Sequence, residues 1–94
     1  MRIPTHPGDI LKRELETIGL SAHALSMALG VPASRIDQIV KCRRAVTSDT
    51  ALRLAAYFGG SPMFWLNMQT AHDLAVAEKE HGKDIRRVVK ARAA

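Results

Sequence analysis

Apolar residues recur at three- and four-residue spacing along most of the chain, and glycine, proline, serine and threonine divide the pattern into five helical stretches. The first spans about residues 7–18, where Ile10, Leu11, Glu14, Leu15 and Ile18 trace a half-buried face and Gly19 suits the left-handed residue that ends a helix. Ser21 caps a short second helix, Ala22 to Leu29, which Gly30 closes. Pro32 sets the entry of a third, about Ala33 to Lys41, with Ile36, Ile39 and Val40 as its buried stripe. Thr47 caps a fourth, about Ser48 to Phe58, with Leu52, Leu54, Ala55 and Phe58 facing inward and Gly59-Gly60 as its stop. Ser61-Pro62 starts the fifth, because proline at the first helical position gives up no hydrogen bond. That helix is expected to run to about His81, with Gly82 interrupting it. No stretch alternates as a half-buried strand does, so the fold class is all-α.

The stretch Ala22 to Lys41 carries the functional signal. A helix-turn-helix needs two short helices to cross and share one core, which puts apolar side chains at fixed offsets around a glycine turn. Leu25 and Leu29, Gly30 and Val31, then Ile36 and Ile39 occupy those offsets, with small Ser26 where the helices approach. The second helix of such a motif enters the major groove and offers its solvent-facing N-terminal residues to base edges. Here these are Ala33, Ser34, Arg35, Asp37 and Gln38. Gln38 pairs naturally with adenine and Arg35 with guanine, and Ala33 offers a methyl contact to thymine. Arg43 and Arg44 follow directly and suit flanking phosphates, as do the free N–H groups at the Thr47 helix start.

Composition sharpens this reading. The 94 residues make a single domain, 1–94, with a core of about residues 6–81 and a tail of about residues 82–94 that is either a docked helix or a basic arm. A formal net charge of +5 favours a polyanionic partner. The lone Cys42 excludes an internal disulfide and a cysteine-rich zinc site. Its neighbours Lys41, Arg43 and Arg44 would lower its pKa, which leaves a redox switch open. No apolar run reaches the roughly 18 to 20 residues of a membrane span, so no membrane partner and a cytoplasmic location are expected. An enzyme is not expected: His6, His23, His72 and His81 show no metal-ligand spacing, and no glycine-rich phosphate loop occurs. Neither a cofactor, a metal nor a small-molecule ligand is called for. From Met63 to Met68 every residue but Asn67 is apolar, more than one helix face buries against so small a domain. Either a compact core takes all of it, or a second chain covers the remainder.

These residues also resemble the HigA-type antitoxins, a branch of the lambda-repressor-like helix-turn-helix proteins. The resemblance rests on His6-Pro7-Gly8-Asp9-Ile10-Leu11, Ala28-Leu29-Gly30-Val31, Thr50-Ala51-Leu52-Arg53-Leu54-Ala55, and Ser61-Pro62 followed by Phe64-Trp65-Leu66-Asn67-Met68-Gln69. It implies an antitoxin that neutralises a HigB-like toxin, an mRNA endonuclease of RelE-like fold, and represses its own operon as a homodimer on an inverted-repeat operator. Phe64, Trp65, Met68 and His72 are the expected dimer interface. Ala22 stands where related repressors often carry a phosphate-contacting glutamine, so that contact passes to His23. Cys42 replaces the usual glycine after the third helix; a left-handed residue with a Cβ costs roughly 1 kcal/mol or more, so that helix is expected to end differently. The alternatives are a free-standing transcriptional repressor with no toxin partner and a protein-binding module that has lost DNA contact.

Overall fold

The computed structural model describes residues 2–93. Five helices follow one another: α1 (Pro7–Ile18), α2 (Ala22–Leu29), α3 (Ala33–Val40), α4 (Ser48–Phe58) and α5 (Pro62–Val88). There is no strand among the described residues. The fold is all-α and lambda-repressor-like, as the helical periodicity predicts.

Most boundaries have the chemistry the sequence carries. Ser21 Oγ accepts from Ala24 N at 3.0 Å to cap α2, and Ser61 Oγ accepts from Met63 N at 3.1 Å to cap α5. Gly19 and Gly30 end α1 and α2 at φ 68° and 70°, a region a Cβ disfavours. The end of α3 departs from expectation. Cys42 takes the same left-handed turn at φ 58°, with Cys42 N donating to Ile39 O and Arg43 N to Gln38 O, both at 2.9 Å. These two bonds satisfy carbonyls at the helix end and offset the strain that a Cβ imposes there.

Leu11, Leu15, Leu25, Leu29, Ile36, Ile39, Val46, Ala51, Leu54 and Trp65 form one core to which every helix contributes. Leu52 is not part of it: 61% of its surface is exposed, because it follows Ala51 by about 100° of helix rotation and so leaves the buried side. Gly8 is buried where α1 crosses α3, and a Cβ added there would overlap the carbonyl oxygen of Ile39.

The expected break at Gly82 is also absent, since α5 continues through it to Val88. A mid-helix glycine costs only about 1 kcal/mol, and surrounding ion pairs favour continuation. Arg86 reaches Glu78 across Gly82 at 2.7 Å, and Arg87 lies 3.1 Å from Asp84. The helix projects from the domain and makes the molecule 53 Å long against 23 and 21 Å across.

His6 holds the start of α1. Its Nδ1 accepts from Gly8 N at 2.8 Å, a bond available only to a ring nitrogen without a proton. Burial, and then the neighbouring His72, lower its pKa from 6.5 against the opposing pull of Asp73 and Asp9. The folded state therefore prefers neutral His6, and the unfolded chain takes up the proton first. The cap's stability is present above about pH 6.5 and is lost as pH falls through the lowered folded value. Urea midpoints should accordingly drop between about pH 7.5 and about pH 5. His6→Asn, which keeps a capping oxygen and has no such titration, should flatten that drop; an unchanged profile would assign it to other groups.

Candidate nucleic-acid interface

Helices α2 and α3 cross as a helix-turn-helix, held from beneath by α1 and at the side by α4. Leu25, Leu29, Ile36 and Ile39 are buried at the crossing. Ser26, also buried, sets its hydroxyl 3.0 Å from Ala22 O and 3.4 Å from Ala33 O, so the closest approach carries no unsatisfied group.

With Ile36 and Ile39 turned inward, helical geometry puts Ser34 and Gln38 on one outward line, and both are exposed. Ala33 is exposed at the helix start. Gln38 Oε1 sits 3.4 Å from Arg44 Nη1, a long contact that leaves its amide free to turn toward another partner. Asp37 is exposed but paired with Lys41 one turn on, at 3.0 Å.

Arg35 departs most from the sequence expectation. Its side chain is only 24% exposed and lies on the flank of α3 that faces α4, where Nη1 is 2.8 Å from Asp49 Oδ2. The same oxygen receives Arg53 Nε at 3.0 Å, and Arg53 Nη1 donates to Leu29 O at 2.7 Å. Arg53–Asp49–Arg35 thus ties the ends of α2, α3 and α4 together. The bond from Arg53, together with the charges of Arg53 and Arg35, holds the Asp49 carboxyl below its usual range, so it stays ionised. Arg35 Nε is buried with no partner. The sequence pattern assigns no role to Asp49, and Arg53 enters it only within the Thr50–Ala55 run, because their meeting with Arg35 is a tertiary event.

Arg43 and Arg44 are exposed immediately beyond the Cys42 turn, and His23 is exposed on the first turn of α2. The Thr47 hydroxyl is turned back to Thr50 N at 3.5 Å as the α4 cap. The Cys42 thiol donates to Asp9 Oδ1 at 3.4 Å. Burial, then the Asp9 carboxylate, raise its pKa, which removes the electrostatic basis for a reactive thiolate.

Gln69 was missed as a structural support of this surface. Buried on α5, it accepts from Val46 N through Oε1 at 2.8 Å and donates to Asp73 through Nε2 at 2.8 Å. This pins the loop that carries Arg43 and Arg44. The only sequence signal was its place at the end of the Phe64-Trp65-Leu66-Asn67-Met68-Gln69 run.

Of the four expected interface residues, Phe64 alone is freely presented, at 54% exposure. Trp65 is 5% exposed and packs in the core beside Phe58, and half-buried Met68 packs against the same cluster. His72 sets Nδ1 2.8 Å from Pro4 O and meets His6 edge-to-face, so it secures the N-terminal segment. Trp65, Met68 and His72 fall on the inward side of α5, because a helix with this register can show only one face to the domain.

Residues 11–66 match the helix-turn-helix family. Virulence-associated protein I of Dichelobacter nodosus is 59% identical over 76 residues, covering 80% of this chain and 70% of that protein. Antitoxin HigA-1 of Vibrio cholerae is 39% identical over 74 residues, covering 78% and 70%. The structure of antitoxin GraA in complex with its operator superposes with a TM-score of 0.92 at 45% identity, covering 100% of this chain and 95% of that one. No helix among the described residues is long and apolar enough to cross a membrane. Family and fold agree, and the chain belongs to the HigA-type antitoxins of the helix-turn-helix family, DNA-binding regulators rather than catalysts.

Proposed function

We infer that this protein binds an inverted-repeat operator as a homodimer, represses the operon that encodes it, and neutralises a HigB-like, mRNA-cleaving toxin in the cytoplasm. The observation that carries the DNA half is the pairing of an outward Ser34–Gln38 line with Arg43 and Arg44 just beyond the same helix. Base-facing and phosphate-facing groups then lie side by side along one surface. His23 and the α4 start at Thr47 extend the phosphate contacts on either side.

The dimer reading rests on α5. Opposite its buried face, Met63, Leu74, Ile85 and Val88 are exposed and fall on one line, with Phe64 and Val89 at its edge. From Met63 to Val88 this stripe is about 37 Å long at 1.5 Å per residue. Asn67, Thr70 and His81 interrupt the stripe, yet exposed apolar side chains recurring over that length on one helix face are best covered by a second copy. Two copies place their α3 helices about one DNA turn apart, which calls for half-sites about 34 to 36 Å centre to centre. The toxin is assigned to α1 and the surface away from DNA, which leaves α3 free.

Titration of the upstream region by gel shift tests the DNA reading. Wild-type protein should prefer it over random duplex at physiological salt. Arg43→Ala should weaken binding to all sequences alike and reduce the salt slope by about one unit. In sedimentation, Leu74→Glu with Ile85→Glu should give monomers. Equal affinity for random DNA would sink the operator reading. Failure of the protein encoded alongside it to co-purify would leave the free-standing repressor in its place.

A further inference from the structure

Arg35 is the one cation on α3 ahead of Lys41, yet it does not lie on the outward line. Its side chain is only 24% exposed, and its Nη1 is taken up by Asp49 on α4. That carboxylate does not drift with the arginine, because Arg53 grips the same oxygen and is itself anchored on Leu29 O. Arg35 Nε remains buried without an acceptor, an arrangement that persists only if the Asp49 contact outweighs it. A guanidinium so held cannot present the bidentate fork by which arginine reads guanine.

We propose that Asp49 is a specificity-determining positioning residue, which holds Arg35 to the side of the reading face and thereby keeps guanine preference out of the operator code. This rests on the reading of α3 as the helix that enters the major groove. Base selection is then left to Ser34 and Gln38. Asp49 would act on sequence preference without touching a base, and Arg35 would serve as a strut between α3 and α4. Two arginines around one carboxylate also leave the cluster with a net positive charge, so an acidic residue is tolerated on a surface that meets phosphates.

Binding-site selection from a randomised duplex library, followed by titration of single-base variants, tests this with full-length protein. Wild-type and Arg35→Ala proteins should select the same bases. Asp49→Ala should acquire a preference for guanine of about fivefold or more at one position of each half-site. Asp49→Ala with Arg35→Ala should return to the wild-type profile, since the released arginine is then gone. Thermal melts accompany each variant, and Asp49→Asn, which keeps the shape and drops the charge, replaces Asp49→Ala if the latter does not fold. A purely structural clamp would lower melting temperature and leave the selected bases unchanged, which overturns the proposal. Loss of base preference at one position in Arg35→Ala alone also overturns it, because Arg35 would then read directly. If the wild-type protein selects no sequence at all, the operator reading fails first; selection by wild type with no change in either Asp49 variant removes only this inference.

Discussion

Gly8→Ala is expected to destabilise the protein by about 3 kcal/mol, more than a typical core truncation of one methylene. The added methyl would overlap the carbonyl oxygen of Ile39, which is backbone and already accepts from Cys42 N at 2.9 Å. Relief requires α1 to lift from α3 or the last turn of α3 to move, and either loses packing around Leu11 and Ile39, both fully buried. Alanine's better helix propensity returns only about 0.5 to 1 kcal/mol of this. For a domain of this size the net loss corresponds to a fall in melting temperature of about 10 to 20 °C. Because the Cys42 turn leads directly into Arg43 and Arg44, operator affinity should fall in parallel. Gly19→Ala is the control. Gly19 has open space around it and a φ of 68°, so alanine there should cost only about 1 kcal/mol of backbone strain. A Gly8→Ala variant within about 0.5 kcal/mol of wild type would show that α1 and α3 do not meet as described.

The second large effect is on recognition. Gln38→Ala should weaken binding to the operator by about 1 to 3 kcal/mol, roughly 5- to 150-fold, and leave binding to random DNA nearly unchanged. The side chain is exposed on the outward line of α3, and its one side-chain hydrogen bond among the described residues is the 3.4 Å approach of Arg44 Nη1. Little is therefore given up in the free protein when the amide turns to a base. The loss should concentrate at one A·T pair in each half-site, where the variant tolerates substitution that wild type rejects. Fold and melting temperature should not move, since the residue contributes nothing to the core. This separates Gln38→Ala from Arg43→Ala, whose effect is uniform across sequences and shows in the salt slope. Equal loss on operator and random DNA would reassign Gln38 to phosphate contact.

The five helices and the caps of α2, α4 and α5 are legible in the chain because the devices that start and stop them are local. Ser21, Thr47, Ser61-Pro62, Gly19 and Gly30 act within three or four residues of their own positions. The helix-turn-helix was legible for a related reason, since Leu25, Leu29, Ile36 and Ile39 sit at offsets that only two crossing helices satisfy. Local rules failed where the decisive partner was distant or where competing local terms were close in size. Gly82 reads as a break, but α5 runs on through it with the Arg86–Glu78 pair spanning it, and Cys42 takes a glycine's turn because two backbone bonds offset the strain.

The fold class, the helix-turn-helix and the outward place of Ser34 and Gln38 are readable from the chain, since helical periodicity assigns faces without knowledge of neighbours. Tertiary structure alone decided that Arg35 turns aside to Asp49, that Trp65, Met68 and His72 face inward, and that Gln69 pins the Val46 loop. Each of those outcomes depends on groups brought together from separate helices, and no local propensity encodes which flank of a helix meets a partner far along the chain.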